Sequence, residues 1–185
     1  MSTRATAPGP VVQSYGVTLI RDAGRDDVPA ITVIANALIA TTTYEWTERL
    51  HTEADRAAWL DHKRERGFPV LVACDADADG AVVGFACYDE FRDVTRWPGY
   101  RPTVEHSIHV RRSHWGRGIG KALLDALVER ARAAGHRVMV AAIDGTNVDS
   151  IRFHTRLGFV EVGRLPEVGE KFGRRLDLVL LQRAL

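Results

Sequence analysis

The sequence predicts one α/β (α+β) domain, with a central mixed, mostly antiparallel sheet flanked by helices on both faces. Three observations carry this. A chain of 185 residues suits one compact domain and is short for two. Its apolar residues switch repeatedly between strand and helix periodicity. The switches fall in the order β-α-α-β-β-β-α-β-α-β-β with no internal repeat, and a sheet covered on both faces buries every apolar stripe in such an order.

Residues 1–16 are rich in Ser, Thr, Ala, Pro and Gly and lack the apolar core of a signal peptide. They are expected to be a disordered extension, or in part a misassigned start, with the folded domain spanning 17–185. Val17 to Arg21 reads as the first strand. Asp26 and Asp27 then precede Val28, Ile31, Ile34, Ala35 and Leu38 on one helix face, with Pro29 suited to the first turn. Thr41 to Trp46 interrupts as a polar, aromatic loop. Thr52-Glu53-Ala54-Asp55 resembles a capping box and opens a helix to Arg66, ended by Gly67 and barred from continuing by Pro69.

Pro69 to Cys74 and Ala81 to Asp89 are β-branched runs across an Asp/Gly turn, hence a hairpin. Thr103 to Val110 sets Val104, His106, Ile108 and Val110 against Thr103, Glu105, Ser107 and His109, which is strand alternation. A glycine-rich turn from Gly116 to Gly120 opens a helix with Ile119, Leu123, Ala126, Leu127 and Ala131 on one face, ended by Gly135. Val138 to Ile143 reads as a buried strand and Asn147 to Leu157 as a short helix stopped by Gly158. Two last strands fall near Phe159 to Val162 and Leu176 to Gln182.

Composition narrows the function. With 25 Lys and Arg against 24 Asp and Glu, the net charge is +1, which gives no electrostatic reason to expect nucleic acid or an anionic membrane. No apolar run approaches the roughly 20 residues needed to span a bilayer. Cys74 and Cys87 read as reduced thiols packed as small apolar groups. No Cys-x-x-Cys or His-Glu-x-x-His spacing occurs, so no metal is expected.

Gly116, Gly118 and Gly120 alternate between a strand end and a helix start. Missing side chains let a ligand approach the backbone, and free helix N–H groups suit a phosphate or pyrophosphate. The spacing is neither Gly-x-Gly-x-x-Gly nor a Walker loop, since Ala122 follows Gly120-Lys121. Trp115-Gly116-Arg117-Gly118-Ile119-Gly120 instead resembles the acyl-CoA loop of the GNAT acetyltransferase superfamily, with Trp115 where Arg or Gln is usual. Asn147-x-x-Ser150 followed by Leu157-Gly158-Phe159 is similar to its downstream pattern. Longer strings resemble the phosphinothricin/methionine sulfoximine acetyltransferase branch over most of residues 17–185. They are Gly99-Tyr100-Arg101-Pro102-Thr103-Val104-Glu105-His106-Ser107, Val138 to Asp144, and Val168-Gly169-x-Lys171-Phe172-Gly173-Arg174. Thr42-Thr43 with Trp46, and Gly67 to Ala73, continue the match. Departures are a longer segment from Phe91 to Tyr100 and Arg175 where the branch has Trp.

The resemblance implies the GNAT fold, acetyl-CoA as co-substrate and transfer to the amine of a small amino-acid-like substrate by direct attack. It also implies a cytoplasmic homodimer with a capacity for herbicide or antibiotic resistance. Glu105 is the expected general base, and His154 the group that protonates the leaving thiolate or relays the amine proton. The backbone of Ile108, His109 and Val110 is expected along the pantetheine, with Gly116, Arg117, Gly118, Ile119, Gly120 and Lys121 at the pyrophosphate and Asn147 on the arm. For the acceptor, Arg101 is the first choice to hold a carboxylate, because it lies in a matching string; it precedes Glu105 by four residues, about 13 Å of strand, which its side chain could reach across. Arg92 and Arg96 are the alternatives, while Trp46, Tyr44, Trp97 and Tyr100 are candidate walls and Thr43 a candidate contact. The rivals are acetylation of a protein or peptide N-terminus, and a non-catalytic acyl-CoA sensor.

Overall fold

The computed structural model describes residues 13–15 and 18–185. It contains eight strands: Gln13–Tyr15 (β1), Thr18–Asp22 (β2), Val70–Asp75 (β3), Ala81–Glu90 (β4), Thr103–Val110 (β5), Val138–Asp144 (β6), Val160–Lys171 (β7) and Arg174–Ala184 (β8). Four helices accompany them: Val28–Thr41 (α1), Glu53–Glu65 (α2), Ile119–Ala133 (α3) and Val148–Arg156 (α4). The strands form one sheet in the order β1-β2-β3-β4-β5-β6-β8-β7. Every pairing is antiparallel except β5 with β6, so the predicted mixed, mostly antiparallel sheet is present.

Helices cover both faces. From β3, Leu71 and Ala73 point to α3, joined by Val83, Ala86 and Tyr88 of β4. Val70, Val72 and Cys74 of β3, with Val82, Phe85 and Cys87 of β4, point to α1 and α2. Strands buried on both sides read as continuous apolar runs, which is why both were visible in the sequence. Cys74 and Cys87 are free, buried thiols. The capping box that opens α2 is formed: the Thr52 N–H donates to Asp55 Oδ2 at 2.9 Å and the Asp55 N–H to Thr52 Oγ1 at 3.1 Å.

Two boundaries differ from the sequence expectation. Gln13–Tyr15 pair with Thr18–Ile20 as an edge strand, inside the stretch read as an extension; residues 1–12, 16 and 17 lie outside the described residues. β7 runs on to Lys171 and returns as β8 through Phe172 and Gly173, both with positive φ. β7 is an almost wholly exposed edge strand with register shifts at Glu161/Gly163 and Leu165/Gly169, so it has no alternation to detect.

The feature that makes room for a site is the β5–β6 seam. β4 follows β5 along its length, from Glu90 opposite Val104 to Gly84 opposite Val110. β6 pairs only with Thr103, Val104 and Glu105. Beyond Glu105 the sheet forks, leaving one side of residues 106–110 without a strand partner.

Candidate active site

Two cavities flank the fork. The larger, about 570 Å³, runs between the splayed strands to the glycine turn and α4. The smaller, about 380 Å³, lies on the α1/α2 side of the sheet. Both volumes suit small molecules. Glu45, Ser107 and His109 line both, so the cavities meet along that wall.

Of the residues expected at a cofactor, Ile108, His109, Val110, Gly116, Gly118, Ile119, Gly120, Lys121 and Asn147 all line the larger cavity. Gly116 and Gly118 adopt φ of +76° and +81°, and a Cβ at either would meet nothing within 4 Å. The turn is therefore open towards the cavity and holds a conformation that side chains resist. Asn147 also caps α4, its Oδ1 accepting from the Ser150 N–H at 3.2 Å. The Arg117 side chain lines neither cavity. Its guanidinium turns away to Asp75, 3.0 Å distant, because that buried carboxylate at the end of β3 also draws in His114 at 3.4 Å. Asp75 thus braces the turn from behind. Trp115 fills the place of the usual Arg or Gln by donating its indole N–H to the Val110 carbonyl at 2.8 Å.

Glu105 lines the smaller cavity at the point of the fork. Burial raises its pKa; Arg92 pulls it down and Asp89 pushes it up. A carboxylate moved in that direction is a better proton acceptor near neutrality. His154 lies on the floor of the larger cavity. Its Nδ1 is 2.7 Å from the Ser150 carbonyl, which can only accept, so Nδ1 carries the proton. Nε2 is then a buried lone pair with no partner among the described residues. Burial lowers the His154 pKa despite that hydrogen bond, so at neutral pH the ring is neutral and its Nε2 lone pair is free. His106 stacks obliquely against it at 5.1 Å, and both its nitrogens are equally unpartnered.

The acceptor residues chosen from sequence do not gather. Arg101, Tyr100, Arg92, Trp46 and Thr43 line neither cavity. A 3-10 turn at Pro98–Tyr100 leaves Arg101 in helical geometry, so it does not extend β5 towards Glu105, and its side chain is exposed. Tyr100 packs on Phe91 at 5.8 Å, and Arg92 acts on Glu105 only through its charge. Thr43 is buried. Trp46 lies flat on Gly169, where a Cβ would meet its ring at 2.3 Å, so it anchors the α1–α2 loop to β7. Tyr44 lines the larger cavity instead.

Sequence reasoning missed Glu45, Ser107 and Arg56. Ser107 was detectable, since it shares the strand face of Glu105 and His109. Glu45 reaches the junction because Lys171, 2% exposed, holds its loop. The Lys171 ammonium donates to the carbonyls of Ile39, Thr42 and Glu45 at 2.6, 2.7 and 2.7 Å. At the junction, Glu45 Oε1 lies 3.4 Å from His109 Nε2. Burial raises the Glu45 pKa against Arg56 and Lys171 and pushes His109 down to about 4. Among the described residues no group of His, Cys, Asp and Glu could hold a metal ion, and no helix is long and apolar enough to cross a membrane.

Two cavities with a common wall, one ending in a phosphate-type turn and the other holding a half-buried carboxylate, provide for a group passed from one small molecule to another. Residues 32–159 match the model of the acetyltransferase (GNAT) family, and the chain belongs to that family. It is 49% identical over 163 residues to an L-methionine sulfoximine/L-methionine sulfone acetyltransferase of Pseudomonas aeruginosa, covering 88% of this chain and 92% of that one. The solved phosphinothricin acetyltransferase of Sinorhizobium meliloti, in complex with acetyl-CoA, superposes with a TM-score of 0.85 at 38% identity, over 92% of this chain and 89% of that one. A Brucella melitensis structure titled ribosomal-protein-alanine N-acetyltransferase has the same TM-score at 41% identity, over 90% of this chain and 99% of that one.

Proposed function

We propose that this enzyme transfers the acetyl group of acetyl-CoA to the amine of a small amino-acid-like substrate, with methionine sulfoximine, methionine sulfone and phosphinothricin as the candidate acceptors. The observation that carries the reading is the junction at Glu45, Ser107 and His109. An amine entering from the Glu105 side meets there a thioester whose pantetheine lies in the fork. The turn at Gly116, Gly118 and Gly120 would take the pyrophosphate, the free edge of Ile108–Val110 the pantetheine, and Glu105 the ammonium proton. The amine then attacks the thioester carbon directly; the C–N bond forms, the C–S bond breaks, and CoA departs as a thiolate that takes up the proton the nitrogen then sheds. The unprotonated Nε2 of His154 fits a proton relay better than a standing acid. The relatives' names support the acceptor class. The experiment is a screen of amino acids, their sulfoximine, sulfone and phosphinate analogues, and peptides with free N-termini, read by release of free CoA. Peptides outcompeting every free amino acid would move the function to the second reading, acetylation of a protein N-terminus, which the Brucella likeness favours.

A homodimer belongs to the same proposal. The β7 edge and its hairpin expose Val160, Val162, Val168 and Phe172, apolar surface of the kind that self-association covers. A cytoplasmic site of action accords with two free buried thiols. Resistance would follow where the acceptor is a toxic amino acid whose amine acetylation blocks.

Replacing Gly118 with Val is expected to weaken acetyl-CoA binding roughly tenfold or more while the fold persists. The φ of +81° is strained for a β-branched residue, and the added side chain points into open space at the turn. Calorimetric titration of the folded variant checks this; an unchanged affinity would move the pyrophosphate elsewhere.

A further inference from the structure

The smaller cavity contains charges of both signs, and Arg56 and Glu45 act on one another through space without a direct ion pair. Of its two strong cations, Lys63 is satisfied: it donates to the Tyr88 carbonyl at 3.0 Å and pairs with Asp89. Arg56 is not. Among the described residues it has no ion pair, and its Nε is buried without a hydrogen-bond partner. Burial lowers its pKa, but a guanidinium remains charged at neutral pH. The group lies 4.8 Å over the Trp59 ring. Trp59 meets the edge of Phe85 at 6.3 Å, and Phe85 stacks on His109 at 4.6 Å. The guanidinium is therefore held on an aromatic shelf that reaches the junction with the other cavity.

Glu45 and Glu105 line the same cavity as Arg56. A buried guanidinium Nε without a hydrogen-bond partner is costly, and a zwitterion would give it a carboxylate while placing an ammonium near Glu105. We propose that Arg56 holds the α-carboxylate of the acceptor, its N–H groups donating to that carboxylate, with the amine directed towards the carboxylate side of the cavity. The proposal rests on the reading that the acceptor is a free amino acid, and it gives Arg56 the role that the sequence assigned to Arg101. A planar, forked donor pre-set over an indole suits a carboxylate better than a mobile ammonium.

The test uses L-methionine sulfone and methylsulfonylpropylamine, the same molecule without its carboxylate, with the full chain as wild type, R56Q and R56K. Wild type is expected to prefer the amino acid strongly. R56Q should raise the amino acid's KM roughly 10- to 100-fold and leave the KM values of acetyl-CoA and of the amine within about twofold. R56K should fall between, and it keeps the comparison available if R56Q unfolds. If the amino acid's KM is unchanged in a folded variant, or rises together with that of the amine, Arg56 is not the anchor. If wild type accepts the amine as well as the amino acid, or accepts neither, the free-amino-acid reading fails and Arg56 loses its role with it.

Discussion

Glu105→Gln is expected to lower turnover by about 10²- to 10⁴-fold, the usual contribution of a positioned general base. Acetyl-CoA affinity should change little, because Glu105 lines the smaller cavity and not the one that ends at the glycine turn. The pH profile supplies the sharper check. Burial raises the Glu105 pKa, with Arg92 opposing, so the wild-type rate should climb with pH through a value above the ordinary carboxylate range. In the variant that limb should vanish. Stability should move the opposite way. A carboxyl whose folded pKa is raised contributes stability below its unfolded pKa and loses it as pH rises through the folded one. The Gln variant escapes that loss, so its Tm relative to wild type should increase from about pH 4 to neutrality. Near-normal turnover from about pH 6 to about pH 9 would transfer the role, with Glu45 the next carboxylate on the same wall.

Lys171→Met is expected to cost about 3 kcal/mol or more. Methionine can fill much of the volume, but the carbonyls of Ile39, Thr42 and Glu45 would lose their donor. The ammonium also sits where α1 ends, at the negative pole of the helix. For a chain of this size the change corresponds to a Tm lower by roughly 10 °C. Amide exchange should quicken first in residues 42–46, and acceptor KM should rise as Glu45 loses its place. An unchanged Tm would show that water replaces the ammonium without cost.

What the sequence made legible is what local rules determine. The alternation of β5 puts Glu105, Ser107 and His109 on one face, and they line one cavity. The glycine turn opens α3 where expected, and Thr52 with Asp55 starts α2 as their spacing requires. Contacts made across the chain were not legible. Arg117 belongs to the loop motif by position, yet a buried carboxylate at the end of β3 claims its side chain. Arg101 lies in a family string, but a turn sets its side chain off the axis of β5. Arg56 looks like one more charge on a polar helix, and only the packing of α2 over Phe85 reveals its partnerless Nε. The tail of β7 escaped because an exposed edge with bulges carries no period.

Glu45, Ser107 and His109 form part of both cavity walls, and that sharing has a thermodynamic consequence. Whatever one occupant does to the position or charge of these three residues alters the affinity of the other. The effect must be reciprocal: if acetyl-CoA tightens the acceptor by some factor, the acceptor tightens acetyl-CoA by the same factor. The ternary complex therefore has a stability of its own, separate from that of either binary one.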